Sequence, residues 1–167
     1  IRHRERGLRI GVRPGAVESG WGILREDDQL LSGFSQTFLV PAGARVLRFT
    51  ILTAELSRTE DDPPDAFEVA LLDTLTGEPL IGTAAGLANT DALLNVQPDG
   101  RVFFANGVTV PGVMRSGDTP GNPAGPMTVE LDLSGVAPGT IATLYFDLIG
   151  FGEQNSHVAI DDVALLV

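Results

Sequence analysis

Apolar residues recur at every second position in four separate stretches, and a chain built that way must bury one face of a sheet. Leu47, Phe49 and Ile51 alternate with Arg48, Thr50 and Leu52. Phe67, Val69 and Leu71 alternate with Glu68 and Ala70, and Val129, Leu131 and Leu133 with Thr128, Glu130 and Asp132. Leu144, Phe146 and Leu148 alternate with Thr143, Tyr145 and Asp147. Each stretch reads as a half-buried strand. Turn signals separate them, including Pro41-Ala42-Gly43, Gln97-Pro98-Asp99-Gly100 and Ala137-Pro138-Gly139. Asn106-Gly107 predicts a tight hairpin, because both central residues tolerate positive φ. Residues 116–126 are too rich in proline and glycine for strand or helix. Residues 84–94 fit one or two turns of helix. The sum is an all-β sandwich of two antiparallel sheets, with about nine to eleven short strands in a 167-residue chain of one domain.

Charge divides the chain. The net charge is −11, from 22 acidic residues against 11 basic ones, all of them arginine. Residues 1–13 hold five of the arginines and one acid, which makes them +4 and leaves −15 on the rest. The reading is therefore a basic N-terminal arm, residues 1–13, and a single sandwich domain, residues 14–167. The acid excess excludes a nucleic-acid partner, which needs a basic footprint. No apolar run is long enough to span a membrane. The chain begins with Ile1, so a processed or truncated product is expected. Cysteine is absent, which removes disulfides, thiolate metal sites and cysteine nucleophiles.

Within the arm, Leu8, Ile10 and Val12 alternate with Arg9, Gly11 and Arg13, which is again a strand pattern. Such a strand has two homes. It is the first strand of its own sandwich, or it is donated to the sheet of a neighbouring copy, where the +4 arm would meet a −15 body and build filaments.

Several segments carry a resemblance. They are Phe38-Leu39-Val40-Pro41-Ala42-Gly43, the run Asp65-Ala66-Phe67-Glu68-Val69-Ala70-Leu71-Leu72-Asp73, Leu131-Asp132-Leu133-Ser134-Gly135, and Val158-Ala159-Ile160-Asp161-Asp162-Val163. Together they resemble the calcium-stabilised β-sandwich modules of large secreted and surface proteins of bacteria. Those modules are themselves similar to jelly-roll carbohydrate-binding modules. The resemblance spans about residues 20–167 and leaves the arm outside. It implies a jelly-roll sandwich, an extracellular location, and a structural or adhesive role without catalysis.

Calcium takes six to eight oxygen ligands, mostly from carboxylates. Residues 60–65 concentrate Glu60, Asp61, Asp62 and Asp65 around two prolines that stiffen the loop. Asp161 and Asp162 are adjacent on the last strand, so one of them is expected to share a face with apolar residues and to need a partner. A structural calcium ion would serve, and a solvated acidic loop is the plainer alternative. The resemblance favours Asp161 as a ligand, joined by Asp65 and by Glu26 or Asp27. Sugar binding rests on fewer residues. Tyr145 falls on the polar face of its strand and is the candidate glycan contact, whereas Trp21, between two glycines, reads as core. Catalytic signatures are sparse. Ser156, His157 and Asp161 are too close in sequence to form a triad, and no Gly-x-Ser-x-Gly elbow is present. The expectation is a module that is not an enzyme and that contacts copies of itself, neighbouring domains of a surface protein, or glycans.

Overall fold

The structure is a computed structural model, and it describes residues 11–12, 16–18, 21–25, 31–57, 65–121, 125–150 and 156–167. In chain order the strands are β1 (Gly11–Val12), β2 (Ala16–Glu18), β3 (Trp21–Arg25), β4 (Leu31–Leu39), β5 (Val46–Glu55) and β6 (Ala66–Asp73). They continue with β7 (Leu94–Val96), β8 (Val102–Phe104), β9 (Val108–Thr109), β10 (Met127–Asp132), β11 (Ile141–Ile149) and β12 (His157–Leu166). One sheet runs β1-β4-β11-β6-β7-β8 and the other β2-β3-β12-β5-β10-β9, with every pairing antiparallel. The expected two-sheet sandwich is present. The described residues form twelve strands, of which β1, β2, β7, β8 and β9 are only two or three residues long.

All four alternating stretches keep their phase. Leu47, Phe49 and Ile51 face inward from β5, and Phe67, Val69 and Leu71 from β6. Val129 and Leu131 do so from β10, with Leu133 just beyond it, and Leu144, Phe146 and Leu148 from β11. Phe146 ties the layers together. Its ring meets Phe49 of the opposite sheet edge-on, with centroids 5.0 Å apart, and stacks on Phe67 of its own sheet at 6.5 Å. At Gly22 the backbone itself packs closely, since a Cβ there would lie 2.9 Å from Cε2 of Phe34.

Two local expectations are corrected. Asn106-Gly107 forms a turn closed by the Val108 N–H on the Ala105 carbonyl at 3.0 Å, but it joins β8 of one sheet to β9 of the other. Neither residue has positive φ, so the geometry that favours a two-residue hairpin is absent and the chain crosses between layers. Residues 84–94 contain no helix. The Ala84 N–H donates to the Ala92 carbonyl across a loop that turns at Gly86 (φ 90°) and Asn89 (φ 54°) and runs straight into β7. Residues 116–121 and 125–126 are irregular, as their prolines and glycines require.

Candidate functional site

The run Asp65–Asp73 covers β6 and the residue before it. At its far end Asp73 Oδ1 accepts the N–H groups of Leu75 (2.8 Å) and Thr76 (3.2 Å), which closes the following turn. At its start Asp65 is 1% exposed. Ser156 Oγ donates to Asp65 Oδ2 and accepts the Ser57 N–H at 2.7 Å, and the Asp65 N–H reaches the Ser57 carbonyl at 3.4 Å. This network joins the end of β5, the start of β6 and the start of β12, and so ties the two sheets at one end of the sandwich.

Ladder registers place other strand ends there too. His157 pairs with both Arg25 and Glu55, and Ile149 pairs with both Leu31 and Ala66. His157 Nε2 lies 3.7 Å from Glu55 Oε2. The segments that join these ends, residues 26–30, 58–64 and 151–155, contain Glu26, Asp27, Asp61 and Glu153 in sequence. Glu26, Asp27 and Asp61 lie outside the described residues.

Asp161 and Asp162 belong elsewhere. Asp161 pairs with Thr50 and lies five strand positions beyond Ser156, roughly 16 Å at the usual rise per residue, so it cannot share an ion with Asp65. The expectation that one of the two must turn inward is also corrected. Between Asp161↔Thr50 and Ala164↔Arg48 the strand carries one extra residue, and Asp162 takes φ 53°. This β-bulge interrupts the alternation, so Asp162 is exposed and Asp161 half-buried. Among the described residues, no group of three or more His, Cys, Asp or Glu side chains could hold a metal ion. Of the expected ligand set, Asp65 is the one described residue that is buried.

Of the proposed arm strand, Gly11 and Val12 pair with Ser35 and Phe34 of the chain's own β4. Leu8, Arg9, Ile10 and Arg13 lie outside the described residues.

The outer face of the β4-β11-β6-β7 sheet gathers a second group. Tyr145 is half-buried and sits between Ser35 and Ala70, its directly opposite partners on the two flanking strands. Two residues on, Asp147 is opposite Glu68, and Glu68 is opposite Asn95. Opposed residues hold their Cβ atoms about 5 Å apart, so the two positions are neighbours on that face. Asn95 Nδ2 donates to Glu68 Oε1 at 2.7 Å. Burial pushes the Glu68 carboxyl above its ordinary value, the Asn95 hydrogen bond works against this, and the charge of Asp91 adds to the rise. Asn95 is 5% exposed, and its Oδ1 has no hydrogen-bond partner among the described residues. Strand phase alone turns Glu68 and Asp147 outward, but only the ladder register reveals that they lie opposite each other. A cleft of about 310 Å³ is lined by apolar and polar residues, including Ile51, Glu55, Val96, Gln97 and Met127, and none of the expected site residues lines it.

No family model matches the chain, and no curated protein matches it. Among solved structures, the chain is similar to the enzymatically active domain of tailspike protein 4 from bacteriophage CBA120. The TM-score is 0.39 and the identity 13%, over 96% of this chain and 18% of that one. The chain therefore spans less than a fifth of the matched protein's length. The expectation that the chain is not an enzyme is corrected here, because the matched domain is titled enzymatically active, and a non-catalytic role is not carried forward. At this TM-score and identity the likeness assigns neither an activity nor a residue to the chain.

Proposed function

We propose that the chain is an extracellular β-sandwich module with a structural or adhesive role in a cell-surface protein. Its partners are copies of itself or neighbouring domains, and calcium stabilises one end. The observation that supports this is the buried Asp65, whose carboxylate holds the sheets together at the end where acid-bearing segments leave. A carboxylate this deeply buried is costly beside neutral partners alone, and a cation would offset that cost. Asp65 would be one ligand, and Glu26, Asp27 and Asp61 are the sequence's candidates for the others.

Chelation tests the calcium. An ion present at a hundred times its dissociation constant adds about 2.7 kcal/mol, or roughly 5 to 10 °C in Tm for a chain of this size. Melting in EDTA and in calcium should differ by that much, and Asp65→Asn should abolish the difference. Identical melts would remove calcium from the proposal. Antibody labelling of intact source cells tests the location, and labelling that needs permeabilisation would refute it.

A second reading, a carbohydrate-binding module, is favoured by the place of Tyr145. It lies half-buried on the outer face of its sheet, between Ser35 and Ala70, and is the aromatic residue the sequence offers as a glycan contact.

A further inference from the structure

We infer that Asn106-Gly107 is a site of spontaneous deamidation, and that its isoaspartate product loosens β9 at the edge of the second sheet. The chemistry needs neither calcium nor a glycan. Asn106 is exposed, and among the described residues its side chain makes no hydrogen bond. The Gly107 N–H likewise donates to no group among the described residues. The attacking nitrogen and the side-chain carbonyl it attacks are thus both unengaged, and they are neighbours in the chain. Other pairs of this kind among the described residues are hindered. In Asp99-Gly100 the carboxylate accepts the Arg101 N–H at 3.0 Å and Arg101 Nε at 2.6 Å, and the Gly100 N–H donates to the Gln97 carbonyl at 3.0 Å. Asn89 and Asn95 precede Thr90 and Val96, whose branched side chains crowd the approach to the following nitrogen.

The reaction is a substitution followed by a hydrolysis, with no change of oxidation state. The Gly107 nitrogen gives up its proton to hydroxide and attacks Asn106 Cγ. A bond forms between that nitrogen and Cγ, the Cγ–Nδ2 bond breaks, and Nδ2 leaves as ammonia with a proton from water. Solvent water then opens the cyclic imide. Cleavage between Cγ and the nitrogen gives aspartate, and cleavage at the main-chain carbonyl gives isoaspartate, whose backbone runs through the former side chain. That longer backbone does not fit this turn. The Val108 N–H is held on the Ala105 carbonyl at 3.0 Å, and the Gly107 carbonyl accepts the Asp132 N–H at 2.8 Å. β9 has only the pairs Val108↔Leu131 and Thr109↔Glu130 to hold it, so displacing its entry uncovers the edge of β10.

The test is peptide mapping by mass spectrometry of the folded whole chain after incubation at neutral and at mildly alkaline pH. Asn106 should convert to a mixture of isoaspartate and aspartate, faster at the higher pH, because the attacking nitrogen must first lose its proton. Gly107→Ala is the control. Gly107 does not take positive φ, and a Cβ there would stand 3.7 Å from the nearest atoms of Ile81, an ordinary contact, so the variant should keep its melting temperature. The added methyl group should slow conversion by about tenfold or more, since glycine alone leaves the attack uncrowded. Hydrogen exchange at the Val108 and Asp132 amides should be faster in the isoaspartate fraction than in the parent. An intact Asn106 in the folded chain overturns the site, whether or not the urea-unfolded chain converts. Conversion at an unchanged rate in Gly107→Ala overturns the imide route, and equal exchange in the two fractions overturns the effect on β9.

Discussion

Replacing Phe146 with alanine probes the joint between the two layers. The ring is 2% exposed and touches an aromatic partner in each sheet, Phe49 edge-on at 5.0 Å and Phe67 in parallel at 6.5 Å. Removing a buried phenyl group from a packed interior costs about 3 to 5 kcal/mol, because the walls relax only partly into the void. Of that loss, about 0.5 to 1.5 kcal/mol per pair comes from aromatic geometry beyond burial. Equilibrium urea unfolding should show the loss as a lower midpoint with an unchanged slope. The double variant with Phe49→Ala should be less destabilised than the sum of the singles, by about 0.5 kcal/mol or more, since the rings touch across the layers. A single-variant loss below about 2 kcal/mol, or strict additivity in the double variant, would refute the claim that Phe146 joins the sheets.

Other expectations follow from the outer face and from β3. The folded Glu68 carboxyl titrates above its ordinary value of 4.5, so the native chain keeps a proton there that the unfolded chain has lost. This stabilisation is fully present below about pH 4.5 and is lost as pH rises through the elevated native value. Glu68→Gln should remove that slope and be at least as stable as the parent at pH 7, and a variant that keeps the slope in urea titrations from pH 4 to 8 contradicts the assignment. Gly22→Ala would place a Cβ 2.9 Å from the Phe34 ring. Overpacking of this kind costs about 1 to 3 kcal/mol in urea unfolding, and an unaffected variant would mean that Phe34 is free to move aside.

Strand phase was legible because it is local. The alternation through Leu47, Phe67, Val129 and Leu144 reports directly which side chains face inward. Register is not local. Nothing in the sequence around Glu68 states that Asp147, 79 positions away, lies opposite it, or that Asn95 lies on its other side. The acid pair at Asp161 and Asp162 misled for the opposite reason. Strict alternation forces one carboxylate inward, and a single inserted residue with φ 53° removes that constraint. Asn106-Gly107 was read as a hairpin from composition, but the same dipeptide also closes a turn between sheets. The acidity of its loop draws attention to Asp65, but neither its burial nor its hydrogen bond with Ser156 has a signal in the sequence.

The last two strands hold the middle of the sandwich. β11 lies between β4 and β6, and β12 between β3 and β5. During synthesis these strands follow the ones they separate, so neither sheet can close until β11 and β12 have been made. Until then β4, β6, β3 and β5 each have an open edge, which is where unfinished β-proteins aggregate. Folding that depends on such distant pairings is slow. Loss of β12 alone would therefore be a defect of the entire second sheet.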